Sequence, residues 1–280
     1  MSIRIVTDSS CDLPKEITEQ YGISVVPLYV NIGDKSYLDG VELSRADFYE
    51  GLPDFKSHPT TSAPGLGMFA ELYDRLAAEG ATEVLSIHIS AALSNTVNVA
   101  RLAAEATESV PVTVFDAGNL TLGVGLMVLA AAEAATAGRS MDEILAMLAD
   151  KSRRTHTIAA LDTLEYLRRS GRLSRFQSGL GALLQVKPLL TMHDGEMGME
   201  RVRTRRRAVD RVIELVKEIG PLEQLAVVHT HALKRANDLQ QRVADLFPPD
   251  SRHLSEEVTP VIGTHIGPGA VGLVAVASSA

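Results

Sequence analysis

The chain has 280 residues, 45% of them hydrophobic and 22% charged, a balance that excludes intrinsic disorder, collagen-like repeats and coiled coils. A formal net charge of −8 speaks against nucleic acid as the main partner, since neutralising phosphates takes a surplus of Lys and Arg. The single cysteine, Cys11, supplies neither an internal disulfide nor a thiolate metal cluster, and the longest apolar stretch, Leu122 to Ala132, falls well short of the roughly 20 residues a bilayer-spanning helix needs.

Short β-branched runs alternate with helical patterns through the first half, the signature of a parallel sheet flanked by helices. Ile3 to Thr7 reads as a first strand, entered without the basic and apolar regions of a secretory signal, so a cytoplasmic protein is expected. A helix begun near Pro14 and capped by Asp12 leads to a second strand, Ser24 to Tyr29. Met68, Phe69, Leu72, Tyr73 and Leu76 repeat at helical spacing after the Pro64-Gly65 turn, and Glu83 to Ile89 returns to strand. A helix over 95–109, a strand from Val110 to Phe115 and an alanine-rich buried helix from about Leu120 to Ala137 follow. Ser140 caps the next helix, which runs to about Arg153.

Beyond residue 155 the texture changes. Thr157 to Leu161, Lys187 to Met192, Met197 to Arg203, Leu225 to His229 and Val271 to Ala277 read as strands, with helices over Leu161 to Ser170 and Ala208 to Ile219. The His193-Asp194-Gly195-Glu196 turn marks a hairpin, and hence antiparallel pairing. The expected architecture is α/β with two domains: residues 1–155 built on a parallel sheet in three layers, and residues 156–280 an α+β unit with a mixed or antiparallel sheet. No linker separates them, and an interface between domains is a favoured place for a ligand pocket.

Ligands of open parallel sheets bind beyond the carboxyl ends of the strands, and here those loops are rich in hydroxyls: Thr7-Asp8-Ser9-Ser10, Thr60-Thr61-Ser62 and Ser90 to Thr96. Any one of these hydroxyls serves equally well as an ordinary helix cap; together they make a donor set suited to a carboxylate or phosphate. Between Thr259 and Gly269, three glycines and two prolines surround His265, which reads as a loop where backbone passes close to a ligand. Two arginine windows, Arg168, Arg169, Arg172 and Arg175, then Arg201, Arg203, Arg205, Arg206, Arg207 and Arg211, hold ten of the 27 basic residues. They are either solvated faces or a docking surface for a phosphate or an acidic partner.

Ser94, His265 and Asp8 or Asp116 contain the residue types of a hydrolase, but the G-x-S-x-G elbow that exposes a nucleophilic serine is missing. His229, His231, His265 and Asp8 offer metal-binding side chains at no metal-ligand spacing, so no metal is expected. Neither a G-x-x-x-x-G-K-[ST] loop nor a G-x-G-x-x-G fingerprint occurs. Hydroxyls beside an aliphatic interior with no Trp, six Phe and six Tyr favour a long apolar ligand with a polar head over a nucleotide.

Taken in order, Thr7-Asp8-Ser9-Ser10, Thr61-Ser62-Ala63-Pro64, Ser90 to Thr96, Asp116, Leu164 to Leu167 running into Ser170-Gly171-Arg172-Leu173-Ser174, Lys187-Pro188 and Gly263-Thr264-His265 resemble the DegV family over essentially the whole chain. These are bacterial fatty-acid-binding proteins that serve as acyl-carrying subunits of fatty acid kinase. The resemblance implies a long-chain fatty acid with its acyl chain in the N-terminal domain and the C-terminal domain closing over its carboxylate. It assigns the carboxylate to Thr61, with Ser62 beside it, and to Ser94, with Arg172 and His265 near the same head group. It further implies a non-catalytic lipid carrier with no cofactor of its own, ATP and metal belonging to the catalytic subunit of the kinase. The acyl phosphate formed there would feed phospholipid synthesis, any membrane contact being transient. Arg169, Arg203 and Arg205 become candidates for touching the kinase or the phosphate. Asn95, Gly65 and Ala117 depart from the family pattern close to the expected head group and bear on ligand choice. The competing reading is a stand-alone hydrolase or transferase acting on a small acid with His265 as base; a third is an interaction protein whose lipid is incidental.

Overall fold

The computed structural model describes residues 2–176, 186–249 and 251–279; the Arg175 side chain lies outside the described residues. Strand β1 (Ile3–Asp8) leads into helix α1 (Lys15–Gln20) and strand β2 (Ser24–Val26). A hairpin of β3 (Tyr29–Ile32) and β4 (Lys35–Leu38) is followed by α2 (Arg45–Gly51) and β5 (Thr60–Ser62). Then come α3 (Leu66–Ala78), β6 (Glu83–His88), α4 (Thr96–Ala106), β7 (Val112–Asp116), α5 (Leu122–Thr136) and α6 (Met141–Arg154). The second half holds β8 (Thr155–Ala160), α7 (Glu165–Arg169), β9 (Lys187–His193), β10 (Glu196–Val202) and α8 (Arg205–Ile219). It ends with β11 (Leu222–His229), α9 (Leu233–Arg242), β12 (Leu254–Glu257), α10 (Pro260–Ile266) and β13 (Val271–Ala277).

These strands build a parallel sheet in the order β2-β1-β6-β7, a mixed sheet in the order β10-β9-β8-β13-β11-β12, and a small antiparallel sheet, β4-β3-β5. The expected α/β class holds, and every strand of the six-stranded sheet begins at Thr155 or later. Helices α3 and α4 cover one face of the parallel sheet through Phe69, Leu72, Tyr73, Leu76, Ala100 and Ala103. Its other face packs on α5 and α6, which also reach Ala226, Val228, Val274 and Val276 of the mixed sheet. Helices α8 and α9 close the far side of that sheet. Helix α5 is therefore sandwiched between two sheets, with 11 of its 15 residues buried, and this explains its lack of a polar face. Ser140 forms a full capping box with Glu143 at the start of α6, as its sequence context requires. Among the described residues no helix is long and apolar enough to cross a membrane.

Several elements differ from the sequence reading, each for a local reason. Pro27 splits the expected strand Ser24 to Tyr29: Val26 ends β2 in the parallel sheet, and Tyr29 opens β3 in another. Asp12 does not cap α1. Pro14 precedes α1, while Asp12 adopts left-handed backbone at φ 52° and turns its carboxylate inward. Of the helix expected over Leu161 to Ser170, only Glu165–Arg169 forms. Thr60–Ser62, read as loop, is the strand β5, paired with β3. The segment around His265, read as a glycine loop, contains helix α10, with Pro260 in its first turn, where a missing amide hydrogen costs nothing. Gly263 is there for room: a Cβ would overlap the Tyr49 hydroxyl. The hairpin turn is as expected, with Asp194 and Gly195 at φ 47° and 78°.

Candidate ligand cavity between the sheets

A cavity of about 320 Å³ opens where the three sheets meet. Leu28, Ile89, Leu93 and Leu120 come from the first half; Ala159, Leu161, Leu167, Leu190 and Met192 from β8, α7, β9 and the chain beside them. Val261, Ile262 and Ile266 of α10 complete the apolar wall, which is thus drawn from both halves of the chain. Thr61, Ser62, Ser94, Arg172 and His265, the five residues assigned to a head group, all line this one cavity. Asn95, Thr157 and Thr191 complete the polar lining, and Thr157 is already committed, donating to Asn119 Oδ1 at 2.6 Å. No aspartate or glutamate is among the lining residues described, so its one formal charge is the Arg172 guanidinium. An apolar interior with hydroxyls, an imidazole and a guanidinium, and no acid among the described lining residues, is chemically compatible with an apolar molecule that carries an anionic end.

Each polar group is held by an identifiable element. Thr61 sits on β5 opposite Val30 of β3, and its Oγ1 is hydrogen bonded to His265 Nε2 at 2.9 Å. Ser94 lies in the loop after β6, where its hydroxyl meets Thr96 Oγ1 at 2.8 Å and its amide donates to the Ser90 carbonyl at 3.1 Å. That loop is tied to the end of β7 by Asp116, whose carboxylate accepts from the amides of Ala91 and Gly118. Arg172 follows α7, with Nη1 donating to the Ser170 carbonyl at 2.9 Å.

The third hydroxyl loop stays out of the cavity. Ser10 donates its hydroxyl to Asp8 Oδ1, and Ser9 Oγ accepts from the Leu28 amide, both in the interior. Asp8 belongs to a buried chain the sequence reading did not see: Tyr73 donates to Ser86 Oγ at 2.9 Å, Ser86 meets His88 Nε2 at 2.7 Å, and His88 Nδ1 meets Asp8 Oδ2 at 2.9 Å. Burial works to raise the Asp8 pKa, but the bonds from His88, Ser10 and the Ile89 amide outweigh it and hold the carboxyl below its ordinary range. The available signal was that Ser86 and His88 alternate on one face of an otherwise apolar strand. With Asp8 given to His88 and Asp116 to two backbone amides, neither aspartate orients His265 as a triad would require. His229 and His231 face Glu257 at 4.0 and 3.5 Å, and among the described residues no group of three or more His, Cys, Asp or Glu is placed to hold a metal.

Five of the ten arginines of the two windows form the following ion pairs. Arg168 and Arg169 bond Glu165, Arg205 bonds Asp162 together with Arg235, Arg207 bonds Glu214, and Arg211 bonds Glu200 and Glu218.

Fold and cavity together define an α/β protein of two stacked sheets with an internal, mostly apolar ligand cavity at their junction. The chain belongs to the DegV family: the model described as "Uncharacterised protein, DegV family" matches residues 2–278. A DegV domain-containing protein of Streptomyces coelicolor is 40% identical over 276 residues, covering 97% of each chain. Among solved structures, a DegV family protein of Thermus thermophilus, described by its fatty acid binding, is 34% identical with a TM-score of 0.89, covering 99% of this chain and 100% of its own. The crystal structure of DegV of Bacillus subtilis, described as a fatty acid binding protein, is 33% identical with a TM-score of 0.91 and the same coverage.

Proposed function

We propose that this protein is a cytoplasmic, non-catalytic carrier that buries one long-chain fatty acid between its two sheets and presents the carboxylate to a partner kinase. The observation that carries this reading is the convergence of Thr61, Ser62, Ser94, Arg172 and His265 on one apolar cavity with no acidic side chain among its described lining residues. The fatty acid binding of the Thermus and Bacillus relatives supports it. Each methylene removed from water contributes about 0.8 kcal/mol, so ten of them contribute ~8 kcal/mol before the cost of association is met. Burying the carboxylate is unfavourable unless its lone pairs are satisfied. Thr61 and Ser94 donate hydroxyl hydrogens, Arg172 offsets the charge, and His265 Nε2–H can donate to Thr61 Oγ1 so that the threonine proton turns to the ligand.

In this reading residues 1–155 supply the hydroxyl side of the head-group site, and residues 156–280 close over it with Arg172 and His265. The partner kinase supplies ATP and metal and forms the acyl phosphate, which passes to phospholipid synthesis; any membrane contact is transient. Arg169, Arg203 and Arg205 are the proposed contacts for the kinase or the nascent phosphate. Arg169 and Arg205 would exchange Glu165 and Asp162 for the new anion.

Native mass spectrometry of freshly purified protein, followed by lipid extraction, tests the proposal. A stoichiometric fatty acid is expected. A protein that stays empty when offered oleate or palmitate, and that instead hydrolyses small esters, would move the assignment to the hydrolase reading.

A further inference from the structure

The wall of the cavity changes character with depth. Ser62 and Asn95 are exposed and Thr61, Ser94, Arg172 and His265 half-buried, so polar groups gather at its mouth. Among the described lining residues that are buried, Thr157 is the one polar side chain, at 6% exposed; the others are leucine, isoleucine, valine or methionine. Thr157 and Ala159 of β8 and Leu161 just beyond it alternate along the wall, with Thr157 paired to Met192 and Ala159 to Leu190 across the β8–β9 ladder. Leu161 marks the head-group end, because it packs with Leu173 and Ile266, the chain neighbours of Arg172 and His265. A strand rise of about 3.3 Å per residue puts Thr157 ~13 Å further in, the reach of about ten carbons of an extended chain built on ~1.5 Å bonds.

The Thr157 hydroxyl has a fixed polarity. Asn119, fully buried, donates from Nδ2 to the Thr155 carbonyl at 3.1 Å and accepts at Oδ1 from the Leu120 amide at 3.0 Å, which settles the orientation of its amide group. Oδ1 is therefore the acceptor in the 2.6 Å bond to Thr157, whose single proton is spent. Helix α5 makes room for this pair at Gly123, where a Cβ would overlap both Asn119 Oδ1 and Thr157 Oγ1. What Thr157 still offers is a lone pair, in a stretch of wall whose other buried side chains are apolar.

We propose that Thr157 is a specificity-determining residue that accepts a hydrogen bond from a hydroxyl midway along the bound chain, so that the cavity takes a mid-chain hydroxylated fatty acid in preference to its unsubstituted counterpart. This rests on the fatty-acid reading above and names the substrate class of that site. A hydroxyl without a partner is costly in an apolar wall; Thr157 removes that cost for the hydroxylated chain and leaves its own lone pair unmatched against a plain one.

Ricinoleate differs from oleate by one hydroxyl midway along the chain, and the two acids provide the test. In calorimetric titration the wild type should bind ricinoleate about threefold or more tighter than oleate. Thr157→Val keeps the β-branched shape and loses the lone pair; it should reverse the order, moving the ratio of the two affinities by about tenfold or more, while Thr157→Ser retains the wild-type order. A purely structural role would weaken both acids alike. Should Thr157→Val not fold, native mass spectrometry of the wild type offered equal amounts of both acids carries the same test, since the complexes differ in mass by one oxygen, and the ricinoleate complex should dominate. A wild type that favours oleate or does not distinguish the two, or an affinity ratio that Thr157→Val leaves where it was, overturns the proposal and leaves the fatty-acid reading standing. Binding of neither acid removes that reading, and the proposal with it.

Discussion

Replacing Thr61 by valine removes one hydroxyl and almost no volume, on a strand that suits a β-branched side chain. Two interactions are lost. In the free protein the 2.9 Å contact to His265 Nε2 disappears, a neutral hydrogen bond whose net contribution to stability is about 0.5–1.5 kcal/mol. In the complex the carboxylate also loses a donor, and bonds to charged groups contribute about 1.5–3 kcal/mol. Affinity for oleate should fall by about tenfold to a hundredfold or slightly more, because every 1.4 kcal/mol is a factor of ten. Calorimetric titration or displacement of a fluorescent fatty acid measures this directly. The decisive control is oleyl alcohol, which keeps the chain and discards the anion. If the hydroxyl acts on a carboxylate, Thr61→Val should weaken alcohol binding far less than acid binding. Equal losses for both ligands, or an unchanged affinity for oleate, would show that Thr61 holds His265 in place and does nothing for the head group.

Three further outcomes follow from the same geometry. Asp8→Asn breaks the buried pair with His88 and should cost about 3–5 kcal/mol in a denaturant titration at neutral pH. Because the Asp8 pKa is depressed, its stabilising contribution is present above the ordinary aspartate value near 4 and is lost as pH falls below it, so wild-type denaturation midpoints should drop in that range and the variant's should not. Arg172→Ala should weaken oleate binding far more than oleyl alcohol binding, since the guanidinium is proposed to offset the carboxylate charge; equal losses for the two ligands would take Arg172 out of the head-group site. Gly263→Ala should destabilise by about 1–3 kcal/mol through overlap with the Tyr49 hydroxyl, and Tyr49→Phe in the same chain should recover part of that loss when the two are compared by thermal unfolding.

What the sequence made legible follows the range of the signals it carries. Helix α6 declared itself through Ser140 and Glu143, and the β9–β10 turn through Asp194-Gly195, because caps and tight turns are decided within a few residues. The strand break at Pro27 was equally local and was missed because an apolar run on either side of a proline still reads as one strand. Helix α10 was hidden for a different reason. Its glycine at 263 is explained by Tyr49, more than 200 residues away in the chain, and no window of sequence contains that contact. The residues proposed for a head group were singled out through the order of short motifs, and the structure shows what the motifs could not: Thr61 lies on a strand, His265 on a helix, and the two touch along one cavity.

The acidic residues were the hardest to place, and the reason is physical. An aspartate after a strand has the same local appearance whether it caps a helix, pairs with a histidine or holds a distant amide. Asp8 does the first two, capping the 3-10 turn of Ser9–Cys11 and pairing with His88, while Asp12, four residues on, does the third, and neither is among the described lining of the cavity. Burying such groups stabilises little by itself, since desolvation offsets most of the attraction. They constrain geometry instead: a carboxylate that accepts three bonds, as Asp12 does from Arg45, Thr121 and Thr259, leaves the elements carrying those donors one relative position. The net charge of −8 therefore divides into two populations. Surface acids such as Glu165 and Asp162 pair with arginines of the two windows, whereas Asp8, Asp12 and Asp39 are buried and bond His88, the Thr259 amide and the Thr259 hydroxyl, away from the described lining of the cavity. A carboxylate on the cavity wall would repel the proposed anionic ligand, whereas one layer back the same group ties backbone elements together without facing it.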